Sequence, residues 1–129
     1  MKIEFGTDTL GDDSTGDFIT PALGRSHSRQ VQVTALAGGA SPFVTPRGNA
    51  TNRISFVVEK QHADAKTAAL YVCTHPDSLA GQAVLRISEG SNAAQIADAC
   101  LESCDLASLT GRATAFHYTF TGGPMTEST

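Results

Sequence analysis

The stretch Arg112-Ala113-Thr114-Ala115-Phe116-His117-Tyr118-Thr119-Phe120-Thr121 decides how the rest of this chain is read. Thr114, Phe116, Tyr118 and Phe120 fall at every second position, against Ala113, Ala115, His117 and Thr119. A period of two sends the two sets to opposite faces of an extended backbone. Aromatic and β-branched side chains suit a half-buried pleated surface. Gly122-Gly123-Pro124 ends the run. The stretch therefore predicts a β-strand with an aromatic inner face, and such a strand needs a sheet around it.

The same period recurs upstream. Val31, Val33 and Ala35 alternate with Gln30, Gln32 and Thr34 until Gly38-Gly39. In residues 53–59, Ile54, Phe56 and Val58 oppose Ser55, Val57 and Glu59. Between these strands, residues 41–52 hold Pro42, Pro46 and the turn signal Arg47-Gly48-Asn49, and read as a long exposed loop. Residues 82–88 form another alternating run, with Ala83, Leu85 and Ile87 on one side, before the turn Glu89-Gly90-Ser91-Asn92. Ile3 to Phe5 can start a short strand. Residues 93–106 fit two periods: Ala93, Ile96, Ala97, Cys100, Leu101 and Cys104 form a helical stripe, yet the run also alternates. Its Ala, Gln and Leu content favours helix, and the pattern alone leaves the choice open.

One helix is expected, over residues 64–75. Asp64 is an N-cap, able to accept from first-turn amides. Ala65, Ala68, Ala69, Val72 and Cys73 share a face at helical spacing, widened by Leu70 and Tyr71. His75 precedes Pro76, and the residue before proline is pushed out of the helical region, so the helix is expected to stop there.

With 129 residues the chain has room for one compact domain. Residues 1–24 read as a flexible N-terminal arm: Asp8, Asp12, Asp13 and Asp17 stand among glycines with few apolar residues, too few to offset the ordering entropy alone. Phe18-Ile19 would be its apolar anchor. Residues 25–123 form the domain and 124–129 a polar tail. The fold class is mainly β: an antiparallel β-sandwich with one flanking α-helix and that arm.

Composition narrows the chemistry. The formal charge is −4 and no global basic field attracts nucleic acid. Arg25, Arg29, Arg47 and Arg53 do cluster; they read as a solvated face or as partners for acids on a neighbouring subunit, ahead of a local patch contacting nucleic acid. No apolar run reaches the roughly 18 residues of a membrane span, and the N-terminus turns acidic where a signal peptide would turn apolar. The 3 cysteines, Cys73, Cys100 and Cys104, are an odd number and read as reduced thiols. With His62, His75 and His117 they lack the paired spacing of a structural zinc site. Cys73 and His75 sit two apart, on different faces of a helix. Asp12-Asp13 lies in a segment too loose for catalysis, and neither a nucleophile elbow nor a phosphate-cradling glycine loop occurs. No catalytic, cofactor-binding or metal-binding residue is assigned, and the protein is not expected to be an enzyme.

The order of these features carries a resemblance. Arg47-Gly48-Asn49 is followed by the strand Ile54-Ser55-Phe56, the helix ending in His75-Pro76, and Leu79-Ala80-Gly81. Val84-Leu85-Arg86-Ile87, Ala99-Cys100-Leu101 and Tyr118-Thr119-Phe120-Thr121-Gly122-Gly123 complete it. Over residues 25–123 this resembles small tail structural proteins of bacteriophages and prophages, of the tail-tube, distal-tail (baseplate) or adaptor type. The resemblance implies a β-sandwich with one flanking helix closing into a homo-oligomeric ring in the virion tail, assembled in the host cytoplasm. It implies copies of itself and other tail proteins as partners, DNA passing through the channel without specific binding, no membrane and no cofactor. In such proteins the N-terminal arm and an early loop reach neighbouring subunits. The matching residues 1–24 and 39–52 make Phe18, Ile19, Phe43, Val44 and Arg47 the candidate interface. It also implies strand for residues 95–101. The chain is short for a complete tube protein, which leaves terminator, adaptor and minor-tail roles open. Two other readings compete: a monomeric β-sandwich binding module, for carbohydrate for instance, poorly supplied with only Tyr71 and Tyr118 and no Trp, and a small hydrolase using Cys73 or Cys100.

Overall fold

The structure, a computed structural model, describes residues 1–20, 24–34 and 43–128. Its strands are β1 (Lys2–Phe5), β2 (Asp8–Asp12), β3 (Phe18–Ile19), β4 (Gly24–Thr34), β5 (Phe43–Gln61), β6 (Gln82–Glu89), β7 (Asn92–Thr110), β8 (Ala113–Gly122) and β9 (Met125–Ser128). One helix, α1 (Ala65–Ser78), and a single 3-10 turn at Asp13–Thr15 complete the described elements. The strands form one sheet in the order β2-β1-β6-β7-β8-β5-β3, with β4 added on β5 and β9 on β7. Every pairing is antiparallel. The expected class holds: mainly β, antiparallel, with one helix. The two layers of the expected sandwich come from a single sheet curled into a half-barrel.

The curl has a local cause at Gly11. A Cβ there would lie 2.8 Å from Cγ1 of Val58, so only glycine lets β2 approach this closely. Thus β2, at one end of the sheet, lies against β3 and β5 at the other. The Asp12 N–H donates to Asp17 Oδ2 at 3.1 Å, and Lys60 pairs with the same oxygen at 3.3 Å. The enclosed core is the predicted inner face of β8 and its counterparts: Phe120 lies 4.8 Å from Phe5 and 6.1 Å from Phe56 between ring centroids. Ile3, Leu10, Ile54, Leu85 and Ile96 fill the space between them.

Several expectations are corrected. Residues 1–24 are no separate arm: β1 is paired on both sides, by β2 and β6, and Ile3, Phe5, Leu10 and Ile19 are core residues. The segment cannot fold alone, but its apolar residues land on a core supplied by the rest of the sheet. Residues 21–23 lie outside the described residues. Most of the tail 124–129 is β9, paired to β7, with Met125 against the core, while Thr129 lies outside the described residues. The domain therefore spans far more than 25–123. The expected loop 41–52 is strand from Phe43 onward, paired from Thr34↔Phe43 to Ser28↔Thr51, and residues 35–42 lie outside the described residues. Backbone pairing with β4 overrides the turn signals there, and Gly48-Asn49 is absorbed by a register shift between Ser28 and Gln30.

Residues 93–106 are strand, as the resemblance implied and against local propensity. The run is hydrogen-bonded to β6, β8 and β9, and a bulge opposite Val84 lets Ile96 and Ala99 both enter the core at a spacing that mimics a helix. The helix α1 does not stop at His75. It continues through Pro76 to Ser78, because His75 is held from the sheet, Ser78 Oγ donates to the His75 carbonyl at 2.6 Å, and the Leu79 N–H closes on Pro76 at 3.3 Å. Its packed stripe is Ala68, Tyr71, Val72 and His75, followed by Leu79, while Ala65, Ala69, Leu70 and Cys73 face outward.

Candidate subunit interface

Two adjacent candidates separate at once. Phe18 is 57% exposed on β3, whereas Ile19 is 8% exposed and belongs to the core. Neighbouring positions on a strand face opposite ways, so Ile19 is corrected to a structural residue and Phe18 stays at the surface. Phe43, Val44 and Arg47 share the first half of β5, opposite Thr34, Val33 and Gln30 of β4. Their backbone is described; their side chains lie outside the described residues.

That first half of β5 builds the most distinctive feature of the molecule. From Asn52 to Gln61, β5 pairs with β8, but residues 43–51 pair with β4 alone among the described residues. A two-stranded ribbon thus extends beyond the half-barrel. Its root is Asn52, only 1% exposed. Asn52 Oδ1 accepts from Arg25 Nη2 at 2.9 Å and from His27 Nδ1 at 3.0 Å, which places a proton on His27 Nδ1. Asn52 Nδ2 donates to the Gly123 carbonyl at 2.7 Å, and the Gly123 N–H donates to Asp98 Oδ1 at 2.9 Å. On the opposite face, Arg53 grips Glu102 bidentately at 2.9 and 3.0 Å. Thr121 Oγ1 donates to the same carboxylate at 2.6 Å, which together with Arg53 lowers the Glu102 pKa. The ribbon is pinned from both faces at one point.

The register explains why β5 departs there. β8 meets β7 at Cys100↔Thr121 and β9 meets it at Ile96↔Met125, so β9 continues the line of β8 across Gly123-Pro124. β5 would follow that line too. Instead the Asn52 side chain takes the Gly123 carbonyl, and the ladder between β5 and β8 ends at Asn52↔Gly122. Gly122 itself tolerates no side chain: a Cβ would lie 2.4 Å from Cγ2 of Ile96. The sequence did contain a signal for Asn52, since it falls in phase with the inner-face residues Ile54, Phe56 and Val58.

A second cluster lies where α1 meets the sheet. His75 Nε2 and the Tyr118 hydroxyl are 2.6 Å apart, and the His75 ring stacks on Tyr71 at 4.3 Å. His62 lies 4.7 Å from Tyr71 and 2.8 Å, Nε2 to Oγ1, from Thr114. Burial pushes His75 down to about 4 and Tyr71 up to about 12, raises Tyr118 further, and lowers His62. The cluster is held neutral. His75 is 9% and Tyr118 1% exposed, so a substrate has no access to their hydrogen bond. With Tyr118 buried and Tyr71 half-buried, neither offers a stacking platform for a sugar.

The thiols are dispersed. Cys73 and Cys100 are exposed on α1 and β7, and burial pushes Cys104 up to about 11. Cys73 faces away from His75, on the outer side of α1. Among the described residues, no group of three or more His, Cys, Asp or Glu side chains is placed to hold a metal ion, and no helix is long and apolar enough to cross a membrane. No protein-family model, curated protein or solved structure matches this chain.

Proposed function

We propose that this protein is a structural subunit of a phage tail, a tail-tube, distal-tail or adaptor component that assembles into a ring of identical copies and works through contacts. The observation that carries this reading is the ribbon formed by β4 and residues 43–51, which leaves the half-barrel at a root pinned by Asn52, Arg53 and Glu102. A ribbon paired to nothing else described in its own chain has contacts to give to another. The motif order over residues 25–123 supplies the family, and the acid-free run carrying Arg25, Arg29, Arg47 and Arg53 supplies attraction to an otherwise acidic subunit. Other tail proteins would stack on the ring, within a virion tail put together in the host cytoplasm, and DNA would traverse the channel without specific binding.

The test is the native mass of the purified chain across a concentration series, with negative-stain images of the same fractions. Closed rings or stacked tubes are expected. A strict monomer at every concentration would sink the proposal and favour a monomeric module.

A further inference from the structure

The departure of β5 at Asn52 leaves two strand edges open. One is the outer edge of β9: it pairs with β7 on one side and with no described strand on the other. The second is the outer edge of β4, which pairs only with β5 among the described strands. Open edges are ordinarily blunted by Lys, Pro or a bulge, because they invite pairing with another chain. β9, Met125-Thr126-Glu127-Ser128, carries none of these, and its register to β7 is unbroken from Ile96↔Met125 to Ala93↔Ser128. β4 has no proline over its 11 residues. The β9 edge carries none of these devices, and the one irregularity along β4, the register shift between Ser28 and Gln30, places its extra residues on β5 rather than on the outer edge.

Charge distinguishes the two. The run from residue 18 to 58 holds four of the 9 basic side chains and none of the 13 acids, and β4 lies wholly within it with Arg25 and Arg29. The β9 edge carries exposed Glu127, and Glu89 joins it around a shallow depression floored by Ile87, Ala93 and Ala94. The edges are therefore complementary across copies, and each copy has one of each kind.

We infer that the outer edge of β9 receives the outer edge of β4 from a second copy of this chain, so that the sheet continues from subunit to subunit. The inference rests on the ring-forming reading above and names the surfaces that would carry it. A donor edge and an acceptor edge on different regions of one molecule make a heterologous contact, which closes into a ring or runs on as a tube. Main-chain hydrogen bonds supply the pairing, and the arginines set its direction.

Hydrogen exchange tests it on the unmodified protein, comparing assembled fractions with monomer obtained by dilution or raised salt. The amides of β9 that point away from β7 and those of β4 that point away from β5 are expected to slow at least tenfold on assembly. Of Thr126→Pro and Glu127→Pro, which remove neighbouring donors on opposite sides of β9, the one whose amide points away from β7 is expected to keep the thermal transition and lose the assembled peak, and Glu127→Lys is expected to weaken assembly most at low salt. Assembled particles whose β9 amides exchange as in the monomer overturn the inference and leave the ring reading standing. Protection of β9 without β4 overturns the pairing, because another strand then fills the edge. A chain that stays monomeric at every concentration and salt overturns both. If that proline variant fails to fold, the exchange pattern of the unmodified chain still decides.

Discussion

At the residue scale, His75 ties stability to pH. It is faced by Tyr71 on its own helix, by Phe116 and Tyr118 from β8, and by His62, while the charges of Lys60 on β5 and Asp8 on β2 also act on it. Its pKa of about 4 in the folded chain lies below its ordinary 6.5, so the folded state holds the neutral form. The stabilisation is complete above pH 6.5 and is lost as pH falls toward 4, up to about 3 kcal/mol. His62 is lowered too and acts with the same sign. Urea midpoints at a series of pH values should fall over that window, and His75→Gln should flatten most of the slope, leaving the His62 share. An unchanged slope would mean that His75 stays solvated and titrates normally in the folded chain.

Asn52 is the other residue with a large expected effect. Asn52→Ala leaves Arg25, His27 and the Gly123 carbonyl without their partner. A cost of about 1–3 kcal/mol follows for groups left unpaired at a buried junction. Chemical denaturation measures that cost, and faster trypsin cleavage after Arg29 or Arg47 would report a loosened ribbon. Variants with unaltered stability and cleavage would remove Asn52 from this role.

At the element scale, the N-terminal segment is the sharpest contrast between local pattern and fold. Its residues alternate too briefly and too polarly to declare more than the short strand begun at Ile3 to Phe5, yet that strand, β1, becomes an interior strand of the sheet. Deleting residues 6–24 removes β2, β3, Leu10 and Ile19, and it exposes the β1 edge. Such a chain should lose its cooperative thermal transition, whereas a true arm would come off without effect. The strands around Ile54-Phe56-Val58, Leu85 and Phe116-Tyr118-Phe120 were legible because their period of two is long and one face is apolar. The strand β7 was not, because Ile96 and Ala99 share a face only through a bulge, and a bulge leaves no mark in composition. The helix was legible at its N-cap, where Asp64 Oδ1 accepts from the Thr67 N–H at 2.7 Å, but not at its end. There the hold of Tyr118 on His75 outweighs the bias of the residue before proline.

At the scale of the whole molecule, the proposed division places folding in the half-barrel and assembly in the ribbon. Replacing residues 29–50 with a two-residue Asn-Gly turn between Ser28 and Thr51 keeps the Asn52 junction and every β5–β8 pair. That variant should melt as the full chain does and should fail to form rings or tubes. Retained assembly would move the contacts onto the half-barrel and strip the ribbon of its proposed role. Of the candidate interface, Phe18 survives as a surface residue and Ile19 does not, and only burial could distinguish these neighbours, which read alike in the sequence.

The sequence by itself determined the class of the fold, its inner face and its single helix, since periodicity and capping are local properties that a residue and its near neighbours carry. It also set the separation of charge, with four arginines in a run free of acids. The tertiary structure decided what belongs to the core and where the sheet ends. Burial of Leu10 and Ile19, the approach of Gly11 to Val58, and the departure of β5 at Asn52 all depend on atoms far away along the chain. Those distant contacts override local preference because each removes apolar surface from water or completes a buried hydrogen bond, at energies that exceed the few tenths of a kcal/mol by which local propensities differ.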